Sequence, residues 1–94
     1  METLLSTPKE VIHTLNFVEQ DVLGTSALQA ERKYKLNRAM LLGNLYQVKV
    51  LIKFRDGLNK LRIVETTVWA VFDKHISVKS GMTIPIRAIE DIEF

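Results

Sequence analysis

His13 and His75 are the only imidazoles in the chain, and neither has the company that chemistry requires. His13 follows Glu10 by three residues, so the pair can share a helix face. A metal centre would need further ligands of suitable type and geometry. His75 stands near Asp73 in a segment that reads as a turn, where such residues serve the backbone. Among the carboxylates Glu65 is the odd one. It lies between Val64 and Thr66 in a strand-like run, where burial would demand a partner such as Lys49 or Lys53 or a displaced pKa. An exposed Glu at a bulge is the commoner outcome. Glu90, Asp91 and Glu93 cluster at the end of the sequence and read as solvated, unperturbed acids. Ser6, Ser26, Ser77 and Ser80 fall at cap, linker, strand and turn positions with no base beside them. Gly57 and Gly81 are isolated turn glycines, not a phosphate-cradling loop. The residues therefore predict no catalytic set, no metal site and no cofactor, and the chain reads as a non-enzyme.

The cations are more suggestive. Between Glu31 and Arg62 stand nine Lys or Arg against two acids, a local balance of +7 in a chain whose net charge is only +2. Arg32, Lys35 and Arg38 recur at threes and should project from one side of a helix. Lys49, Lys53 and Arg55 share one face of a strand by alternation. If helix and strand lie side by side, these six merge into a polyanion-binding patch, for which nucleic acid is the natural ligand. If they dock apart, the charges are ordinary solvated faces, the commoner result and the one expected here.

The elements that must position these residues are legible in outline. With 94 residues there is room for one domain, spanning 1–94, and the balance of 47% hydrophobic to 26% charged residues argues against disorder. Thr7-Pro8-Lys9-Glu10 makes a capping box with proline at the first helical position. Val11, Ile12, Leu15, Val18 and Val22 continue it as an apolar stripe, giving a helix over about 8–23 that Gly24 stops. Ser26-Ala27-Leu28-Gln29 opens a second helix, with Leu28, Leu36, Ala39 and Met40 inward and Gly43-Asn44 as the stop. Residues 8–42 are thus helical and 45–94 are β.

In the second half, Tyr46, Val48, Val50, Ile52 and Phe54 alternate with mostly polar residues and define a first strand over 45–55. Asp56-Gly57 starts a hairpin turn, with Leu58 and Asn59 in the loop. A long second strand over 60–72 places Leu61 and Ile63 on the side of Ile52 and Phe54. Its apolar parity then changes, which requires a bulge or bend near 64–66. Trp69 is expected in the core if the phase holds, and outward as a base-stacking platform if it flips; core is the commoner choice for so large an aromatic. Tyr46 is expected in the core as well. Short strands over 76–79 and 83–87 flank the Ser80-Gly81 turn, and a one-turn corner leads to a last strand over 91–94. Pro85 belongs at an edge or bulge, because it cannot donate to a ladder. The predicted β-side core is Val50, Ile52, Phe54, Ile63, Ile84, Ile86, Ile89 and Ile92. The fold class is α+β: N-terminal helical segments, then a strongly bent five-stranded antiparallel sheet or a small barrel.

The succession of strands broken at Asp56-Gly57, Asp73-Lys74-His75 and Ser80-Gly81 and closed by 84–92 resembles Sm-like and SH3-like small barrels. That resemblance implies ring assembly and RNA binding as the functions to look for. Val64-Glu65-Thr66-Thr67-Val68-Trp69-Ala70-Val71 with Gly81-Met82-Thr83-Ile84-Pro85-Ile86 is similar to a family of short uncharacterised bacterial proteins, which implies no activity. No run reaches the roughly 20 apolar residues of a spanning helix, the N-terminus lacks the pattern of a signal peptide, and cysteine is absent. A cytoplasmic setting is expected. The functional expectation is a non-catalytic interaction module, self-associating or bound to a protein partner and not to a membrane. A nucleic-acid-binding Sm-like barrel is the alternative.

Overall fold

The strongest helix formers in the sequence sit in one block, and they make the one long helix among the described residues. In the computed structural model, which describes residues 4–94, α1 spans Ser26–Tyr46. Thr25 is its N-cap: the side-chain hydroxyl accepts a hydrogen bond from the Leu28 amide at 3.2 Å. The cap thus falls one residue before the expected Ser26. Gly43-Asn44 does not stop the helix. Gly43 is buried where α1 presses on a neighbouring strand, and a Cβ at this position would collide with the Val68 carbonyl oxygen. Its conformation is helical, and what the position requires is the lack of a side chain. The chain leaves the helix at Gln47, which is left-handed (φ 55°) and donates back to Gly43 O and Leu42 O.

The helix expected over 8–23 does not form. A 3-10 segment covers Lys9–Thr14, and Leu15 is already extended at φ −88°, ψ 143°. The reason lies in composition: from Val11 to Val18 only Leu15 is a strong helix former, and the β-branched, aromatic and Asn residues around it favour other conformations. The apolar residues are used by a strap instead. β1 (Leu5–Ser6) pairs in parallel with β3 (Leu61–Thr66). Phe17 then bridges Asp56. Val22 N–H donates to Arg87 O at 2.9 Å while Arg87 Nε donates to Val18 O at 2.8 Å. Of the expected stripe, Ile12 is buried, Leu15 and Val18 are half-buried, and Val11 is exposed. The core ring nearest this strap is Phe54, which Phe17 meets at 5.7 Å between centroids.

Two sheets replace the single five-stranded antiparallel sheet, and neither closes on itself. The first has the order β1-β3-β2-β7, with β2 at Val50–Arg55 and β7 at Ile89–Glu93. The second has the order β4-β5-β6, at Val68–Val71, His75–Val78 and Thr83–Pro85. The α+β class stands, with α1 packed on β4 and β7. β6 is an edge strand, so Pro85 sits where a missing N–H is tolerated.

The long second strand divides at Thr67, one residue beyond the bend expected at 64–66. Thr66, Thr67 and Val68 are all buried in succession as the chain passes from one sheet into the other. The phase assigned to its first half is inverted. The register pairs Val50 with Thr66, Ile52 with Val64 and Phe54 with Arg62, so Val64 and Thr66 face inward. Leu61 and Ile63 oppose Arg55 and Lys53 instead. An inward Arg62 is tolerated because it lies at the end of the sheet, where Asp56 and Thr7 receive its guanidinium. Six of the eight predicted β-side core residues are buried; Ile63 and Ile86 are only half-buried. Tyr46 is a plain correction: it ends α1 and is 71% exposed. Trp69 is also not a core residue, at 37% exposure beside the register shift of β4.

Candidate functional site: the outer face of the helix

The C-terminal acids decide what becomes of the predicted basic patch. β7 lies between α1 and β2, so Glu90, Asp91 and Glu93 are delivered among the cations. Lys35 Nζ reaches Asp91 at 2.8 Å, Lys53 Nζ reaches Glu93 at 2.8 Å, and Arg55 Nε reaches Glu90 at 3.1 Å. Arg32 is 5% exposed and holds Asp21 through two bonds of 2.7 and 2.8 Å, while Nη1 also donates to Ile89 O at 3.0 Å. That contact occupies a carbonyl on the open edge of β7 and helps to blunt it. Arg38 lies over the ring of Phe94, 5.4 Å from its centroid. Lys49 and Arg38 are the two of the six that are exposed with no ion pair shown among the described residues, and Arg38 has the Phe94 ring instead. The structure therefore brings Arg32, Lys35, Lys53 and Arg55 to the flanks of one acidic strand, and does not leave six cations facing solvent.

Asp91 departs from the unperturbed state expected of its cluster. Burial pushes Asp91 upward, but the Lys35 ammonium and the Ile92 amide more than offset it and hold the carboxyl below its ordinary value. The Arg32 guanidinium likewise lowers Asp21, aided by the Leu23 amide. Glu93 in turn raises Lys53. Asp56 closes the β2–β3 loop: its carboxylate accepts from Leu58 N–H at 2.9 Å, Lys60 N–H at 3.0 Å and Arg62 Nε at 2.6 Å. Burial works to raise this group, and the three donors outweigh it to leave the pKa lowered.

The remaining sequence candidates are separate. Glu65 is exposed, so the commoner outcome for it is the observed one. His13 is exposed, and His75 stacks on Phe72 at 4.8 Å across the β4–β5 turn. Among the described residues no group of three or more His, Cys, Asp or Glu is placed to hold a metal ion. The concavities are open. One of about 290 Å³ lies between Leu23, Leu28, Arg32, Lys35, Glu90 and Asp91, and its charged rim is already mutually paired.

What the sequence reading missed is the other side of α1. Its buried residues are Arg32, Leu36, Ala39 and Gly43. At 100° per residue, Tyr34, Leu41 and Leu45 lie on the opposite side, and they are 66%, 57% and 63% exposed. The helix is thus apolar on two faces, one packed on β4 and β7 and one turned to water. An ordinary surface helix keeps its outer face polar. From Ala39 to Val48 the sequence carries no charge, and this was the available signal. Phe94, 56% exposed, adjoins the same face beneath Arg38. Among the described residues no helix is long and apolar enough to cross a membrane. Comparison of the chain with protein-family profiles, with curated proteins and with solved structures gave no match.

Proposed function

We propose that this chain is a non-catalytic interaction module that works through the outer face of α1. The observation that carries the reading is the row Tyr34, Leu41 and Leu45, more than half exposed on a helix whose other side is already packed. Exposed apolar side chains gathered along one helix face, interspersed with polar residues such as Asn37 and Arg38, are what an interaction site on a soluble protein presents. The scaffold behind it is read as a small bent sheet of the Sm-like and SH3-like type. In support, β3 and β4 follow one another into different sheets, and a 3-10 corner at Ile86–Ala88 returns β7 to β2. The nucleic-acid alternative loses its main support, because five of its six cations are engaged with acids or an aromatic ring of the same chain.

The test is a double variant, Leu41→Glu with Leu45→Glu. Both side chains are exposed, so circular dichroism and thermal unfolding should stay close to wild type. In affinity capture from lysate, the proteins recovered with wild type should be lost with the double variant and kept with Lys49→Ala. Recovery of the same proteins by a folded double variant would reject the outer face as the binding surface.

A further inference from the structure

We infer that the partner of this face is the α1 helix of a second copy, laid antiparallel across it; the inference rests on the reading of α1 as the interaction surface. The solvent-facing positions Ala27, Glu31, Tyr34, Arg38, Leu41 and Leu45 are spaced 4, 3, 4, 3 and 4 residues apart. This is the a/d spacing of a two-helix seam. The series also reads the same in both directions, as a two-fold antiparallel contact requires, because each position must meet its mirror position in the other copy.

Pairing about residue 36 brings every position of the series opposite another. Ala27 meets Leu45 of the second copy, a small residue against a large one. Glu31 meets Leu41, and Tyr34 meets Arg38. The last pair supplies an attraction that a purely apolar seam would lack. Arg38 already has one face on Phe94 of its own chain, and Tyr34 of the second copy covers the other. Glu31 of the second copy lies one turn from that guanidinium on the same seam. Its side chain is 61% exposed, and its ion pair among the described residues is a long one to Lys35 at 3.8 Å. A register centred on residue 38 would set the two Arg38 side chains together with no acid at hand, and is disfavoured for that reason.

The contact runs over most of α1 but is narrow. Two copies together would cover on the order of 1,000 Å², the low end for a specific interface, and weak association is expected, with a dissociation constant of about micromolar order.

The chain has no cysteine of its own, so directed cross-linking is clean. Ala27→Cys and Leu45→Cys variants, mixed under mild oxidation, should form the mixed disulfide dimer. Neither alone should cross-link, since like positions in this register lie about 27 Å apart along the helix axis at 1.5 Å per residue. Sedimentation velocity should show the wild type passing from monomer to dimer over a micromolar concentration range, and Leu41→Glu with Leu45→Glu staying monomeric. Cross-linking of each variant with itself would overturn the antiparallel arrangement. A wild type that stays monomeric while still losing its captured proteins in the double variant would overturn the second copy as partner and leave the interaction surface standing. Dimerisation untouched by the double variant would overturn this inference, and retained capture would remove the surface as well.

Discussion

Phe54→Ala is expected to lower the unfolding free energy by about 3–5 kcal/mol. Phe54 is fully buried on β2, opposite Arg62 on one neighbour and Ile89 on the other, and it carries the ring contact to Phe17. Its removal opens a cavity where the first sheet meets the strap. Its neighbours on β3 and β7 are held in register by the strand ladders and Ile12 of the strap is itself already buried, so the surroundings collapse only partly into the space. A domain of this size has a total margin of roughly 5–10 kcal/mol, so the variant should be partly unfolded at physiological temperature. Urea or guanidinium unfolding followed by fluorescence or circular dichroism measures the loss. A midpoint within a few per cent of wild type would mean that Phe54 does not hold the sheet and the strap together.

Asp56→Ala should cost about 3 kcal/mol, although it removes almost no apolar surface. The carboxylate is buried and satisfies two loop amides and the Arg62 guanidinium. Without it those donors stay in place with no acceptor, and the guanidinium is left uncompensated. The loop that Asp56 closes also carries the strap: Gly57 N–H donates to Asn16 O at 2.7 Å, and Arg62 reaches Thr7 at 3.3 Å. The variant should therefore loosen residues 7–17 as well as the hairpin. The same group gives acid sensitivity of definite sign. Asp21, Asp56 and Asp91 all have lowered folded-state pKa values, so each contributes stability that is fully present above about pH 4, the unfolded carboxylate range, and is lost as pH falls through the lowered folded values. Denaturant midpoints measured between neutral pH and pH 3 should fall for wild type and fall less steeply for Asp56→Ala. Equal slopes would show that Asp56 is not ionised more readily in the folded protein.

The parts of the fold written locally were legible. The alternation at Val50, Ile52 and Phe54 fixed a strand and its buried side, Asp56-Gly57 fixed the turn, and the run of helix formers after Thr25 fixed α1. What was not legible depended on partners far along the chain. Val11, Ile12, Leu15 and Val18 have helical spacing, yet the segment is drawn out by β3, Asp56 and the corner at Arg87, contacts between 39 and 69 residues away in sequence. The phase at Leu61–Thr66 inverted because Arg62 found Asp56 and Thr7, a placement that hydropathy alone would reject. Gly43 looked like a helix stop because a bare glycine does not announce that a carbonyl of β4 will lie against it. The candidate site was misplaced for a related reason. Counting cations along the sequence cannot reveal that the last strand threads its acids between them. The exposed apolar face was present as spacing, but Leu41 and Leu45 become informative only once Leu36, Ala39 and Gly43 are seen to occupy the opposite side of the same helix.

The most direct test of the account is the amide NMR spectrum of the wild-type chain recorded over a wide range of protein concentration. The account predicts concentration-dependent shifts confined to α1 around Tyr34, Arg38, Leu41 and Leu45, with Phe94 moving alongside them and the amides of β2 still. No shifts at α1 across that range, or shifts centred on Lys49 and the strands instead, would contradict it.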